Sequence, residues 1–406
     1  MRKYTIKFID LIQWIALIGV VLGKYIEILF ILIAAILIIN KNKKIFKDKI
    51  LLLLTIVFTT SLFLITINGY SYNKFIQQFL PMSICLLCYS QFFLYIKQDL
   101  LSFFNKYINL MYLLCLLGLL QFLICLVAQI DIFPFTLDGY IQNAPSGRIM
   151  RIHSILAEAG NFGSCLVPVI AYILFDKNYF KENKNKSYII IITYLLTLAT
   201  ISYVMLGILL FVKIYTKLKY TKYVLVGLII LLIPYSLSTM SSRLDGAEVT
   251  NKDFFLTIQK KITQTILIYD VSSPTDFEML NASSYALLTN FWVAKEAPSR
   301  LIGTGLGTHE ENYIREYPPN DFFQYGLNSQ DAYSLFIRLF SEFGVIGIII
   351  YFIFIKKNFN SGNIINKCVL FLLIALLIRG GNYFLYGTIM FHFIYCYTSR
   401  KIINDK

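Results

Sequence analysis

Charged side chains are scarce in this sequence. Only 15% of its 406 residues are Asp, Glu, Lys or Arg, while 57% are hydrophobic, and a soluble globular domain has about 25% charged residues. This scarcity excludes an ordinary soluble domain. The hydrophobic residues occur in blocks of the length that a membrane helix needs, about 20 residues. We therefore predict an all-α polytopic membrane protein.

Cysteine is absent from every polar segment, and histidine occurs only three times. The seven cysteines all lie in apolar blocks, which excludes a disulfide framework. Cys85 and Cys88 form an isolated Cys-x-x-Cys with no second pair and no neighbouring histidine. Packing as small apolar side chains is favoured over a zinc or redox site. We predict no metal and no cofactor.

The net charge of +14 is unevenly distributed. Residues 241–331 contain seven Lys or Arg and twelve Asp or Glu, a net of −5, so the remainder of the chain has a net of +19. Its basic residues lie in short loops between apolar blocks, which is the positive-inside pattern of membrane proteins rather than a nucleic-acid-binding surface. The pattern predicts that both termini are cytoplasmic.

The apolar blocks predict about twelve transmembrane helices. Residues 1–240 hold nine, with an outer loop at 130–152 between the fifth and the sixth; the sixth begins at about His153. Residues 241–331 form one large extracytoplasmic loop, and residues 332–406 hold three further helices and a short cytoplasmic tail. The stretches 8–40, 187–215 and 367–399 are each expected to form two spans, with breaks at Gly23-Lys24, Thr200–Tyr203 and Arg379–Asn382.

Within the large loop, apolar residues recur every four positions between residues 252 and 268, with polar residues between them. This spacing predicts an amphipathic helix. Such a helix lies either in the membrane interface or against the loop's own core.

The outer loop and the start of the sixth span contain the first candidate site. Arg148, Arg151 and Glu158 occur together with the small residues Gly160 and Gly163. Ionisable groups in a membrane span usually pair with one another or face an aqueous cavity. The group is therefore either an Arg151–Glu158 pair at a helix end, or a carboxylate beside guanidiniums that bind phosphate. The small residues favour close approach of another helix.

A glycine-rich run in the large loop is the second candidate. Arg300 is followed by Gly303, Gly305, Gly307 and His309. The run lacks the strand and helix of a dinucleotide-binding fingerprint. It is either a turn that needs glycine backbone geometry or part of a substrate site. His309 is either a general base or an ordinary loop histidine.

Two polar positions complete the candidates. Asp331 ends the large loop, where helix capping is the default role and a catalytic base is the alternative. Arg379 and Asn382 interrupt the last apolar stretch. An arginine at a helix end usually extends its charge to the interface.

Together these elements resemble the bacterial O-antigen polymerase and ligase superfamily, most closely its Wzy-type O-antigen and capsular polysaccharide polymerases. The resemblance rests on Arg151 and Glu158 opening a mid-chain span, on Pro298 to Gly307 in a large outer loop, and on Glu342-x-Gly344-x-x-Gly347 in the helix after it. Ligases of the superfamily have a His-Asn pair where this chain has Ser329-Gln330-Asp331, a difference that disfavours a ligase.

The resemblance implies an integral-membrane glycosyltransferase of GT-C-like architecture in the bacterial inner membrane. It would join undecaprenyl-pyrophosphate-linked oligosaccharides into O-antigen or capsule at the outer face, without a metal. Arg148, Arg151 and Arg300 would bind pyrophosphate beside the glycine loop, and Glu158, then His309, then Asp331 is the expected base. A chain-length regulator and a flippase of the same pathway are possible partners; nucleic acid is not. The alternatives are a ligase or a lipid-linked oligosaccharide transporter.

Overall fold

The computed structural model describes residues 2–42, 48–97, 99–128, 130–133, 151–217, 274–280, 282–384 and 386–399. Within these ranges the chain forms helices joined by turns and has no β-strand. The predicted all-α architecture is confirmed for this part of the chain. Arg148, the ninth predicted span near 223–240 and the amphipathic helix near 252–268 lie outside the described residues.

The helices follow the apolar blocks of the sequence. The first part of the chain forms α1 (Arg2–Leu22), α2 (Lys24–Asn42), α3 (Asp48–Asn68), α4 (Tyr72–Ile96) and α5 (Leu100–Ala128). The middle forms α6 (Ala159–Phe175), α7 (Lys177–Glu182), α8 (Lys184–Leu196) and α9 (Thr200–Lys217). After a 3₁₀ helix at Pro274–Met279, the last part forms α10 (Ala282–Glu296), α11 (His309–Glu316), α12 (Leu335–Asn358), α13 (Ile364–Ile378) and α14 (Thr388–Tyr397).

Four of the described helices are long and apolar enough to cross a membrane: Ile50–Asn68, Tyr72–Ile96, Leu100–Ala128 and Leu335–Asn358. Shorter apolar helices lie beside them, including Ala159–Phe175, Ile364–Ile378 and Thr388–Tyr397. The four long helices carry most of the exposed leucine, isoleucine and phenylalanine of the described residues, whereas Ala159–Phe175 and Thr388–Tyr397 are packed inside. The chain is therefore a membrane protein. The total of twelve spans and the cytoplasmic position of the termini remain predictions.

The expected interruptions occur close to where the sequence places them. Gly23 has a φ of 107° between α1 and α2, a conformation open to glycine at little cost. α8 and α9 are separated at 197–199, where Leu198 has a φ of 48°. The last apolar stretch is interrupted from Arg379 to Gly387, between α13 and α14. Each of these stretches therefore folds as two helices.

The predicted start of the sixth span is wrong. The helix begins at Ala159 rather than near His153, and the preceding segment 151–158 is not helical. Its amides donate to partners outside the segment: Ser154 N–H to Gln121 Oε1 at 2.9 Å, and Ala157 N–H to the Tyr386 hydroxyl at 3.1 Å. Amides bonded in this way cannot also form the i to i−4 bonds of a helix.

The main core is built around α6, which packs along α13 and α9. The hairpin of α1 and α2 packs against α4, and Glu27 of α2 is buried there at 4% exposure. Its carboxylate accepts a hydrogen bond from the Tyr89 hydroxyl at 2.6 Å and one from Gly387 N–H, just before α14, at 3.2 Å. A buried carboxylate thus joins the first helices of the chain to the last.

Candidate functional site

An ion pair joins the start of α6 to the end of α13. The Arg379 guanidinium donates from Nη2 to Glu158 Oε2 at 3.0 Å, and the two side chains remain 22% and 36% exposed. Glu158 is the N-cap residue of α6, but its side chain makes no capping bond, because its carboxylate faces Arg379. Of the two alternatives for this site, the simple Arg151–Glu158 pair at one helix end does not form: the ion-pair partner of Glu158 comes from 221 residues further along the chain.

Two glycines at the start of α6 bring other groups close. A Cβ at Gly160 would lie 3.0 Å from the Arg379 guanidinium carbon, and a Cβ at Gly163 would overlap the Ser202 hydroxyl of α9. The expectation that these small residues allow another helix to approach is met at Gly163. At Gly160 the missing side chain makes room for the arginine.

Arg151 is the second guanidinium at this place. It is exposed along part of its side chain, yet its pKa is lowered by desolvation, then by the charge of Arg379, and is held up by Glu158. An arginine whose ordinary pKa is above 12 stays protonated after such a shift. Two guanidiniums therefore lie near one carboxylate, Glu158, which pairs directly with Arg379 alone.

The turn that precedes α12 forms the other wall of the site. Ala332 and Tyr333 have φ values of 59° and 62°, and the Tyr333 ring lies 5.7 Å from the Arg379 guanidinium carbon. Gly380 N–H donates to Tyr333 O at 2.9 Å. Left-handed non-glycine residues cost about 1–3 kcal/mol each and cluster at functional sites. We name Arg151, Glu158, Asp331, Tyr333 and Arg379 the arginine–glutamate cluster.

Asp331 belongs to this cluster and does not cap the following helix. Its Oδ1 accepts from Tyr333 N–H at 3.3 Å, while Ser334 caps α12 through Ile337 N–H. Desolvation raises the pKa of Asp331 above its ordinary value, the charge of Glu158 adds to the rise, and Arg338 opposes it. A carboxylate with a raised pKa is a stronger base than an exposed one.

A buried arginine network lies beside the cluster. Arg338 is 1% exposed; its Nε donates to Glu342 Oε1 at 3.0 Å and its Nη1 to Gly381 O at 3.1 Å. The guanidinium lies 4.1 Å from the centre of the Tyr383 ring, and the Tyr383 hydroxyl donates to Glu342 Oε2 at 2.8 Å. The Arg338 guanidinium, the Glu342 carboxylate and the Tyr383 hydroxyl are thus all paired, and a buried ion pair is stable only when its members are hydrogen-bonded. The network holds the 380–383 segment against α12.

The glycine-rich loop lies in a break in α12. Gly344 has a φ of 64° and a ψ of −165° inside that helix, and the loop supplies the hydrogen bonds that the break removes. Gly305 N–H donates to Glu342 O at 2.8 Å, and Val345 N–H donates to Arg300 O at 3.0 Å. A Cβ on Gly303 would overlap the Glu342 backbone. The loop and the break therefore fit together, main chain against main chain.

The other two glycines contact the membrane helices α3 and α4. A Cβ on Gly305 would lie 3.0 Å from Ser61 O, and one on Gly307 would lie 2.9 Å from Lys74 O. All three loop glycines have positive φ. For Gly303, Gly305 and Gly307 these contacts favour a turn whose glycines allow close backbone contact over the predicted substrate loop.

Arg300 is placed differently from the arginines of the cluster. It is exposed, and in the described part of the chain its ion-pair partner is Glu296, at 3.2 Å on the preceding turn. The exposed apolar side chains Leu301 and Ile302 follow it. This surface ion pair favours a structural role for Arg300 over the predicted role in pyrophosphate binding.

His309 is buried at 1% exposure and uses both ring nitrogens. Nδ1 lies 2.8 Å from Ser341 Oγ, and Nε2 lies 2.9 Å from Asn290 Oδ1. Burial, together with the charge of Arg338, lowers the pKa of His309 to about 3. A neutral ring that joins α10, α11 and α12 has no free nitrogen for a substrate proton. This geometry favours a packing role over the predicted role as a base.

Replacing His309 with alanine is therefore expected to lower the free energy of unfolding by about 2–4 kcal/mol, because Asn290 and Ser341 each lose a buried partner. The melting temperature of the protein in detergent measures this loss. The activity per folded molecule should stay close to that of the wild type. A stable His309→Ala protein without activity would contradict the packing role.

Low pH is expected to lower the free energy of unfolding through the same residue, His309. In the unfolded chain His309 takes up a proton below its ordinary pKa of about 6.5, whereas the folded protein keeps the ring neutral down to about pH 3. Stability therefore falls as the pH falls from about 6.5 towards 3. The fall in melting temperature over this range should be smaller for His309→Gln than for the wild type. Identical pH profiles would contradict the linkage.

A second buried polar group supports the 151–158 segment. His153 Nε2 lies 3.0 Å from Asp131 Oδ2, and Gln121 Nε2 donates to Asp131 Oδ1 at 2.8 Å. Burial alone would raise the pKa of Asp131, but hydrogen bonds from His153, Gln121 and Phe133 N–H bring it below its ordinary value. The group joins the end of α5 to the segment that carries Arg151. Sequence reasoning missed it, although an aspartate and a histidine at the two ends of one predicted outer loop were a signal.

The structure thus brings Arg151, Glu158 and Asp331 together and leaves Arg300, His309 and the glycine loop in supporting positions. The residue that sequence reasoning undervalued is Arg379. Comparison of the chain with protein-family models, with curated proteins and with solved structures gives no match.

Proposed function

We propose that the protein is a polysaccharide polymerase that joins undecaprenyl-pyrophosphate-linked oligosaccharides at the outer face of the bacterial inner membrane. The observation that carries the proposal is the arginine–glutamate cluster, in which Arg379 pairs with Glu158 and a second guanidinium, Arg151, is close enough for both charges to act on it. A planar guanidinium donates paired hydrogen bonds to phosphate oxygens. Two of them beside the positive N-terminal end of α6 suit a pyrophosphate.

In the proposed reaction, pyrophosphate binding displaces Glu158 from Arg379. A hydroxyl of the acceptor sugar attacks the anomeric carbon of the donor, the bond from that carbon to the pyrophosphate oxygen breaks, and the hydroxyl proton passes to Glu158. Polyprenyl pyrophosphate leaves as the anion. Arg151 and Arg379 stabilise the charge that develops on it. We invoke neither a metal nor a general acid, because pyrophosphate leaves readily once its charge is neutralised.

Glu158 is assigned as the base because it lies in direct contact with the guanidinium that would receive the phosphate. Asp331, with its raised pKa, is the second carboxylate of the cluster and would help to orient the acceptor. Glu158→Gln should abolish turnover, whereas Asp331→Asn should raise KM more than it lowers kcat. The reverse result would exchange the two roles.

The function is tested by deleting the gene and separating the surface glycan by electrophoresis. A polymerase predicts loss of long chains while single repeat units remain attached. Unchanged chain lengths would refute the proposal. Accumulation of long lipid-linked chains without attachment would indicate a ligase, and loss of all glycan from the outer surface would indicate a transporter.

A further inference from the structure

A polar groove lies far from the arginine–glutamate cluster along the chain, between the start of α5 and the short helices α7 and α8. It encloses about 380 Å³. Asn105 and Asn109 line it from α5, and Tyr179, Asn183 and Lys186 line it from the other side. A groove of this volume is large enough for a small-molecule ligand. We name it the interfacial groove.

The length of α5 places the groove at the depth of lipid headgroups. The helix has 29 residues, which gives about 43 Å at ~1.5 Å per residue, whereas the hydrocarbon core of a bilayer is about 30 Å thick. Asn105, Lys106 and Asn109 lie in its first three turns, whereas its last turns are apolar. We therefore take the first turns as the part that extends beyond the hydrocarbon. The neighbouring helix α7 contains two of the basic residues of a predicted cytoplasmic loop.

An apolar surface continues from the groove along the same helices. On α5 the exposed side chains Leu113, Leu116 and Leu120 follow Asn109 at helical spacing. On α8, which packs against α5, Tyr188 and Ile192 are exposed as well. A polar groove at one end of an exposed apolar surface has the form of a site for a lipid, with its headgroup in the groove and its chains along the helices.

The charges around the groove favour an anionic headgroup. Lys186 donates to Asn109 Oδ1 and lies 5.3 Å from the centre of the Tyr112 ring, so its ammonium group is held at the groove. Two acidic residues also line it, Asp176 and Glu182. Asp176 is engaged in capping α7 through two backbone amides, and Glu182 is exposed.

Three further lysines of the same hairpin are exposed to solvent, Lys177, Lys181 and Lys184. Counting Asp176 and Glu182 against the four lysines of residues 176–186 leaves a net charge of +2. Basic pockets of this kind, between membrane helices, bind phosphate-containing lipid headgroups.

The uncharged groups favour a headgroup that bears hydroxyls. The amides of Asn105 and Asn109 donate and accept hydrogen bonds. The Tyr179 hydroxyl is buried and, among the described residues, has no hydrogen-bond partner. A buried hydroxyl without a partner costs free energy, and a hydroxyl of the ligand would remove that cost.

We infer that the interfacial groove binds a phospholipid with a phosphoglycerol headgroup: Lys186 pairs with the phosphate, and the asparagine amides and the Tyr179 hydroxyl bind the glycerol hydroxyls. A choline headgroup offers none of these hydroxyls. The site is separate from the proposed polymerase reaction and does not depend on it.

The test uses the full-length protein purified in detergent, with phosphatidylglycerol or phosphatidylcholine added as mixed micelles. We expect phosphatidylglycerol to raise the melting temperature in a saturable manner and phosphatidylcholine to have no effect. Lys186→Gln should weaken the apparent affinity for phosphatidylglycerol about tenfold, the effect of losing one charge-assisted hydrogen bond. Lys357→Gln, which removes an exposed lysine on α12, is the matched control and should leave the affinity unchanged.

Asn105→Leu is a second variant, chosen because Asn105 is exposed and its replacement leaves the core intact. It should weaken phosphatidylglycerol binding without lowering the melting temperature of the lipid-free protein. Equal stabilisation by phosphatidylcholine, equal stabilisation by phosphatidylethanolamine, or unchanged binding in the double variant of Lys186 and Asn105 would each overturn the inference.

Discussion

Replacing Arg379 with alanine is expected to lower the rate of polymerisation by on the order of 10²- to 10³-fold, the usual effect of removing one preorganised donor from a developing anion. Arg379 is the guanidinium that contacts Glu158 and lies over Gly160. The rate is measured in membranes supplied with the lipid-linked repeat unit, and the result is normalised to the amount of folded protein. Arg379→Lys should restore only part of the rate, because a lysine cannot donate paired hydrogen bonds.

Arg300→Ala is the matched control for that variant. Arg300 is exposed and pairs with Glu296, and an exposed ion pair contributes about 1 kcal/mol or less. The rate should therefore stay within about fivefold of the wild-type rate. If Arg300→Ala lowered the rate as much as Arg379→Ala does, Arg300 would have to be assigned to the pyrophosphate site.

A charge swap separates a catalytic role of Arg379 from a structural one. The double variant Arg379→Glu with Glu158→Arg keeps an ion pair between α6 and α13 but moves the positive charge and removes the proposed base. It should fold and remain inactive. If the swap restored long chains, Arg379 would serve only to hold the helices together.

Replacing Gly344 with alanine is expected to destabilise the folded protein by more than about 3 kcal/mol, because the new Cβ combines close overlap with a positive φ. A Cβ at Gly344 would overlap the Leu301 carbonyl, and the residue has a φ of 64°. The overlap is with main-chain atoms and the φ angle belongs to the main chain, so that no side-chain rotation relieves either of them. The measurement is the melting temperature in detergent, together with the amount of protein that elutes as a single species on gel filtration.

Gly207→Ala provides the control, because Gly207 lies within α9 and a Cβ there would meet no atom within 4 Å. Alanine in a helix interior is favoured over glycine by about 1 kcal/mol, and this variant should be as stable as the wild type or more stable. A Gly344→Ala protein with the same melting temperature as Gly207→Ala would contradict the close backbone contact at the break.

The breaks in the helices could be predicted from the sequence because their cause is local. Gly23 and the Arg379-Gly-Gly-Asn run mark positions where an apolar block cannot continue as one helix, and the chain turns or unwinds there. Apolar block length predicts helices for the same reason: each block must satisfy its own backbone hydrogen bonds within the membrane.

The composition of the site could be predicted only in part. Arg151, Glu158 and Asp331 were identified from their position at the edge of the membrane, where ionisable residues usually have a function. The partner of Glu158 could not be identified, because helical periodicity describes neighbours three or four residues apart whereas Arg379 is 221 residues away. The sequence feature that pointed to Arg379 is the polar interruption from Arg379 to Asn382 in the last apolar stretch.

The role of the glycine loop could not be predicted from the sequence for a related reason. A glycine run is compatible with a phosphate loop and with close backbone packing, and sequence alone does not choose between them. The structure does, because Gly303 and Gly344 meet at the break in α12. The two motifs that support the family resemblance, Pro298 to Gly307 and Glu342 to Gly347, are thus two sides of one contact.

The buried carboxylate of Glu27 has a consequence for biosynthesis. Its hydrogen-bond partners are the Tyr89 hydroxyl and Gly387 N–H, 62 and 360 residues later in the chain. Both partners are synthesised after Glu27, the Gly387 amide near the end of the chain, and an ionisable group among apolar helices is costly until it is paired. The N-terminal hairpin therefore lacks one hydrogen bond to the Glu27 carboxylate until Gly387 has been synthesised. Its contacts are complete only once Gly387 and α14, the last described helix, have been synthesised, so that a chain truncated before Gly387 lacks one hydrogen bond of this hairpin.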